Sequence, residues 1–211
     1  MISRLHYISQ ETPGKTHLQN IEEACKAGVD WVQLRLKNKS EEEVLDIATQ
    51  AKAICKEHKA KLIINDYVAI AKKVKANGVH LGQGDMDPIE ARKLLGDRPY
   101  IGGTANTWDQ VEALAMAQVD YIGLGPFRDT TTKENLSPIL GIKGISAILN
   151  HMIIEDVHIP IIAIGGIRVE DIFDLQLSGC HGIAIASLIN SSENKTDTIN
   201  DIKYCLPDGE F

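Results

Sequence analysis

The feature that most restricts the fold of this chain is a regular alternation of short apolar runs with amphipathic stretches. Each run is short, apolar and closed by a turn, which is typical of a buried parallel strand. The predicted strands are Arg4–Ile8, Trp31–Arg35, Lys61–Asn65, Gly78–Leu81, Tyr100–Gly103, Tyr121–Leu124, Ile161–Ile164 and Gly182–Ala186. Eight strand–helix repeats in 211 residues predict an α/β fold, a closed (β/α)8 TIM barrel formed by residues 1–211 as one domain.

An open doubly wound sheet is the main alternative fold, and the first turn argues against it. Such a sheet normally carries a glycine-rich phosphate turn after its first strand. Here the first strand leads into residues 9–14, Ser-Gln-Glu-Thr-Pro-Gly, which lack that fingerprint. We therefore predict the barrel.

Composition restricts location and partners. The amino terminus has no continuous apolar segment of the signal-peptide kind, and no apolar run approaches the roughly 18 residues that span a bilayer. The four cysteines show no CxxC spacing. We therefore expect a cytoplasmic protein without a membrane partner. The net charge of −7 argues against nucleic-acid binding. A homo-oligomer is plausible, because most soluble oligomers are assemblies of one chain, but no interface is recognisable in the sequence.

Two carboxylates follow neighbouring predicted strands. Asp66 follows the third strand, and Asp85 follows the fourth strand and the segment Gly82–Gly84. Both project from the same end of a parallel barrel, where like charges repel unless a cation lies between them. Such oxygen ligands suit a Mg²⁺ ion that is also bound by substrate phosphates. The alternative is that Asp66 caps the next helix and Asp85 begins a turn.

A basic cluster follows the second strand. Strand alternation predicts that Gln33, Arg35 and Lys37 share one side. Buried cations need partners, and phosphate oxygens would supply them: Arg35 as a planar fork and Lys37 as a mobile point charge. The alternative is that the strand simply ends and these charges face solvent, near the acidic residues 41–43.

Two further segments are typical of phosphate binding. After the sixth strand, Thr130, Thr132 and Lys133 offer several donors in a long loop, which we interpret as a lid over bound substrates. After strands seven and eight, the pairs Gly165-Gly166 and Ala186-Ser187 occupy the place where barrels frequently bind phosphate.

Taken in this order, the motifs resemble those of the thiamine-phosphate synthase family over nearly the whole chain. They are QxRxK (Gln33, Arg35, Lys37), Asn65-Asp66, the segment that ends at Asp85, Asp120–Pro126, the Thr-x-Thr-Lys loop (Thr130, Thr132, Lys133), Ala163–Ile167, and Ala186-Ser187. The chain departs from the family pattern at three positions. Thr104 stands in place of a serine, Asp129 adds a negative charge before the loop unless Arg128 neutralises it, and Ala186 replaces a bulkier aliphatic residue.

The resemblance implies a transferase that joins hydroxymethylpyrimidine pyrophosphate to a thiazole phosphate, giving thiamine phosphate and pyrophosphate. It implies Mg²⁺ on Asp66 and Asp85 as the cofactor. It implies that Arg35, Lys37 and Lys133 stabilise the departing pyrophosphate, which Thr104 also adjoins. It also implies that Gln33 and Asn65 orient the pyrimidine or its phosphates. The thiazole phosphate would bind Thr130, Thr132, Gly165, Gly166, Ala186 and Ser187.

Three alternative functions remain open. A thiazole tautomerase on the same barrel needs a general base, for which His80, expected to be a hydrogen-bonded core histidine, is a poor candidate. A sugar-phosphate isomerase or aldolase on the same fold is the second alternative; a Schiff-base lysine should then lie on a strand, and the sixth strand has none. A non-catalytic sensor of thiamine precursors would bind both phosphates without turnover.

Overall fold

The computed structural model describes residues 1–129 and 138–206, and its strands form a closed parallel barrel in sequence order. The strands are β1 (Leu5–Ile8), β2 (Trp31–Leu34), β3 (Lys61–Asn65), β4 (Gly78–Leu81), β5 (Tyr100–Ala105), β6 (Tyr121–Leu124), β7 (Ile161–Ile164) and β8 (Gly182–Ile185). The predicted fold is confirmed. Four predicted strands match these bounds, and the differences in the others bear on the site: β2 ends at Leu34 and β5 continues to Ala105.

Helices follow the strands and form the outer layer. They are α1 (His17–Lys26), α2 (Glu41–Glu57), α3 (Val68–Lys73), α4 (Pro88–Leu95), α5 (Trp108–Met116), α6 (Gly141–Ile154), α7 (Ile172–Leu177, after a 3₁₀ turn Val169–Asp171), α8 (Ser187–Asn190) and α9 (Lys195–Tyr204). Capping boxes begin α1, α2 and α5, where the side chains of Thr16, Ser40 and Thr107 accept hydrogen bonds from the backbone three residues later. In the described ranges, no helix is long and apolar enough to span a membrane.

The barrel interior is a packed core and not a pore. His6 stacks on Trp31 with ring centroids 4.6 Å apart, and Tyr121 meets both rings edge-on. Gly102 leaves room for the phenol ring of Tyr121, because a Cβ on residue 102 would lie 2.2 Å from Cζ of that ring. Lys61 closes the amino-terminal end of the barrel over the Trp31 ring. Space for a ligand is therefore found toward the carboxyl ends of the strands.

Candidate active site at the carboxyl ends of the strands

A cavity of about 240 Å³ opens at the carboxyl ends of the strands. It brings together most of the residues predicted from the sequence: Gln33, Arg35, Asn65, Asp66, Asp85, Thr104, Gly165, Gly166, Ala186 and Ser187. Lys37 is exposed and does not line this cavity. Thr130, Thr132 and Lys133 lie outside the described residues, so their roles and the lid interpretation stay predictions.

A chain of polar contacts leads to the first carboxylate. Nε2 of Gln33 donates to Oδ1 of the buried Asn65 at 2.7 Å, and Asn65 in turn forms a side-chain hydrogen bond with Asp66. Asp66 has a positive φ of 67°, a conformation that is uncommon outside glycine. Helix α3 receives no side-chain cap. The alternative in which Asp66 caps the next helix is therefore wrong, and its carboxylate faces the cavity.

The second carboxylate lies against the first. Burial, together with the hydrogen bond and negative charge of Asp85, raises the pKa of Asp66 to about 7, and Arg35 opposes these effects. Oδ2 of Asp85 also accepts from the Gly82 amide at 2.6 Å, so Asp85 closes a turn as well as facing the cavity. The predicted juxtaposition of the two carboxylates is thus confirmed.

This donor set fits Mg²⁺ better than a metal held by protein alone. In the part of the chain that the structure describes, no three or more His, Cys, Asp or Glu side chains are grouped to hold a metal. Mg²⁺ characteristically uses one or two carboxylates and completes its shell with waters and substrate phosphates. After burial, the neighbouring Asp85 contributes to the raised pKa of Asp66, and such an ion would relieve the repulsion between the two carboxylates.

The raised pKa of Asp66 predicts a pH-dependent stability. The unfolded carboxyl ionises near its ordinary value, so between about pH 4 and pH 7 the folded state binds more protons, and the free energy of unfolding falls as pH rises. Asp66→Asn removes this effect, and Asn tolerates a positive φ. With partial exposure discounted, the variant should be more stable than wild type by about 1 kcal/mol at pH 8.

Urea unfolding in chelator at pH 8 and pH 5 measures this difference. The stability that Asp66→Asn gains over wild type should be smaller at pH 5, because the Asp66 carboxyl of the folded wild-type protein is then mostly protonated. A variant that is less stable than wild type at pH 8 would contradict the assignment.

The three residues of the basic cluster, Gln33, Arg35 and Lys37, do not all line the cavity. The amide of Arg35 donates to the buried Oγ of Ser9 at 3.1 Å, and the half-buried Arg35 lines the cavity. Strand β2 ends at Leu34, and three residues beyond it strand alternation no longer predicts the direction of Lys37. Gln33 and Arg35 line the cavity and Lys37 does not, and its role toward a substrate stays a prediction.

Thr104 lies inside β5 and is held from two sides. Its hydroxyl is 2.9 Å from Nε2 of His80, and its carbonyl accepts from Nε2 of Gln83 at 2.6 Å. His80 is buried, and its Nδ1 lies 3.1 Å from the Tyr121 hydroxyl. The prediction that His80 is a hydrogen-bonded core histidine is confirmed, but the same ring also lines the cavity.

The two glycines after β7 form a tight backbone cradle. Gly165 and Gly166 have φ values of 92° and 67°. A Cβ on Gly166 would lie 2.8 Å from the Asp129 carbonyl oxygen, and one on Gly165 would lie 2.8 Å from Cβ of Pro126. Both a positive φ and a close backbone approach therefore require glycine here.

Arg128 connects this cradle to the segment that follows β6. Its guanidinium forms a bidentate pair with Asp171 at 2.7 and 2.9 Å and also donates to the Gly166 carbonyl at 2.7 Å. This pair lowers the pKa of Asp171. The guanidinium is thus engaged by Asp171, and the sequence-based suggestion that it neutralises Asp129 finds no support in these contacts.

Sequence reasoning did not identify several residues that shape the site. The buried His6 lines the cavity, and strand alternation with Ile8 in β1 could have placed it there. Burial lowers the pKa of His6 well below its ordinary value, so the ring stays neutral. The buried Asn106 donates to the carbonyls of Gly125 and Pro138 at 2.9 and 2.8 Å, which joins the two ends of the loop after β6.

Comparisons with known proteins agree with this geometry. A family model described as thiamine monophosphate synthase matches residues 5–189. A thiamine-phosphate synthase of Flavobacterium psychrophilum is 44% identical over 206 residues, which cover 98% of this chain and 100% of that protein. One from Bacteroides fragilis is 46% identical over 185 residues, covering 88% and 91%. The structure of a thiamine phosphate pyrophosphorylase from Pyrococcus furiosus aligns with a TM-score of 0.82 at 25% identity, covering 96% of this chain and 95% of that one.

Proposed function

The chain belongs to the thiamine monophosphate synthase family of transferases, and on that premise we propose that it joins hydroxymethylpyrimidine pyrophosphate to thiazole phosphate. The products are thiamine phosphate and pyrophosphate. The observation that carries the proposal is the contact between Asp66 and Asp85 inside the cavity. Two carboxylates beside an arginine suit a ligand that brings its own phosphates and a divalent cation.

The bonding changes need no protein nucleophile. The bond between the methylene carbon and the pyrophosphate oxygen breaks, and both electrons leave with pyrophosphate. The ring nitrogen of the thiazole then donates its lone pair to that carbon and becomes the thiazolium nitrogen. No proton is transferred in either step, so the reaction needs no general base. The main task of the protein is to position two substrates and stabilise the charge on the leaving group.

We assign the leaving pyrophosphate to the β2–β5 side of the cavity. Mg²⁺ bound to Asp66 and Asp85 would supply positive charge to its oxygens. Arg35 faces the same side and offers a planar fork of donors. Thr104 offers a hydroxyl, and the hydrogen-bonded pair of Gln33 and Asn65 would orient the pyrimidine ring.

We assign the thiazole phosphate to the opposite side of the cavity. Gly165 and Gly166 let the backbone approach a ligand closely, and Ser187 at the start of α8 adds a hydroxyl. Tyr7 supports α8 from below, because its hydroxyl donates to Oδ1 of Asn190 at 2.7 Å. A short extra helix after β8 is a common partner of phosphate in this barrel.

An omission assay separates this function from the alternatives. Purified protein is incubated with Mg²⁺ and both substrates, or with either one alone, and thiamine phosphate is measured by its oxidised fluorescence. We expect turnover only when both substrates are present. Isomerisation of the thiazole alone would indicate a tautomerase. Binding of both substrates by titration calorimetry without turnover would indicate a sensor, and either result would overturn the proposal.

A further inference from the structure

We propose that His80 is a positioning residue, which acts through Thr104 to aim a hydroxyl donor at the pyrophosphate. The inference rests on the proposed function for the identity of the ligand. Three groups form a line from the barrel interior to the cavity: the Tyr121 hydroxyl, the His80 imidazole and the Thr104 hydroxyl. The two contacts in this line measure 3.1 Å and 2.9 Å.

The contacts of the His80 ring allow two opposite directions of hydrogen bonding, and the bound anion selects one of them. Burial raises the pKa of Tyr121 well above its ordinary value, so the phenol keeps its proton. When that proton is donated to Nδ1 of His80, the neutral ring carries its own proton on Nε2 and donates it to Oγ1 of Thr104. The Thr104 hydroxyl then has its proton left for an acceptor in the cavity. A pyrophosphate oxygen is only an acceptor, so the bound anion selects this arrangement.

The surrounding backbone leaves little freedom to these groups. A Cβ on Gly123 would lie 3.1 Å from Cε1 of His80, and one on Gly102 would lie 2.2 Å from Cζ of Tyr121. The two glycines therefore leave just the room that the rings occupy. Gln83 fixes the Thr104 carbonyl at 2.6 Å, and the β-branch of threonine restricts its χ1 further. Such preorganisation is what a donor to a developing charge requires.

A double-mutant cycle on pyrophosphate binding tests the inference. The probe is inorganic pyrophosphate with Mg²⁺, measured by titration calorimetry, so turnover is not needed. His80→Asn places its amide near the former Nδ1 and cannot reach Thr104, whereas His80→Gln places an amide donor near the former Nε2. Both His80 variants are made in the wild-type protein and in a Thr104→Val background. Valine removes the Thr104 hydroxyl and keeps nearly the same side-chain shape.

We expect His80→Asn to weaken pyrophosphate binding about tenfold in the wild-type background, and His80→Gln to restore most of that loss. In the Thr104→Val background, His80→Asn should cause no further loss. An equal loss in both backgrounds would overturn the inference, because His80 would then not act through Thr104. The affinity for thiazole phosphate should stay within twofold in all of these variants, and a parallel loss there would point to a purely structural role.

Tyr121→Phe provides a second variant that keeps the ring and its packing. It should weaken pyrophosphate binding in the wild-type background and leave the Thr104→Val background unchanged; no loss in the wild-type background would overturn the inference. The outcomes also separate the two proposals. Tight pyrophosphate binding with the expected coupling but without thiamine phosphate formation would overturn the proposed function alone. Wild-type protein that binds no pyrophosphate would overturn both.

Discussion

Asp66→Asn and Asp85→Asn should each lower kcat/KM for the pyrimidine pyrophosphate by on the order of 100-fold or more at saturating Mg²⁺. Each substitution removes one of the two negative charges that meet in the cavity. The remaining carboxylate would hold the cation more weakly, so the charge on the departing pyrophosphate would lose part of its stabilisation. Initial rates of thiamine phosphate formation, measured across a range of Mg²⁺ concentrations, give the effect.

Asp87→Asn is the matched control. Asp87 lies two residues beyond Asp85 and is exposed, but its Oδ1 accepts from the Ile89 amide at 2.8 Å as the N-cap of α4, and it does not line the cavity. Asn is also a good N-cap, so this variant should retain both stability and rate. Near wild-type turnover of Asp66→Asn or Asp85→Asn at low Mg²⁺ would contradict the assignment of that carboxylate.

Gly166→Ala should raise KM for thiazole phosphate at least tenfold, on the scale of a lost hydrogen bond to a charged group. The new Cβ would lie 2.8 Å from the Asp129 carbonyl oxygen and 2.9 Å from Cβ of Arg128. Backbone must therefore shift at the place assigned to the phosphate. The effect on KM for the pyrimidine pyrophosphate should be smaller, because that substrate is assigned to the other side of the cavity.

Gly179→Ala separates this effect from backbone strain alone. Gly179 has a φ of 100°, but a Cβ there would meet nothing within 4 Å. Both alanine variants should lose roughly 1–2 kcal/mol of stability from the positive φ. Only Gly166→Ala should change KM, and equal KM values in the two variants would mean that the cradle does not bind the thiazole phosphate. Thermal unfolding of both proteins confirms that they are folded at the assay temperature.

Local sequence patterns predicted the fold and much of the site. The strand bounds follow from short apolar runs, and parallel strands place their carboxyl ends on one edge, so Asp66 and Asp85 could be paired without coordinates. Gln33 and Arg35 could be expected at the cavity from strand alternation, and Thr104 was expected there from the family resemblance. The predictions from local patterns succeeded because each depends on one strand and on the order of its neighbours.

Other features depend on where a strand stops or on contacts between distant segments. Lys37 lies three residues beyond the end of β2 at Leu34, where alternation no longer predicts the direction of a side chain. The pairing of Arg128 with Asp171 joins residues 43 positions apart, and no local pattern marks it. His80 could be recognised as a core histidine, but its contact with Thr104 follows from the register of β4 against β5, which pairs His80 with Gly102.

The metal dependence of the condensation tests the central claim most directly. That claim is that the cavity rim with Asp66 and Asp85 uses Mg²⁺ to release pyrophosphate from one substrate before the other attacks. Purified wild-type protein is treated with chelator, given both substrates, and then titrated with Mg²⁺ while thiamine phosphate is measured. We predict no product before Mg²⁺ is added and full activity afterwards, with one pyrophosphate released for each thiamine phosphate formed. Thiamine phosphate formed at an undiminished rate in chelator would contradict the claim.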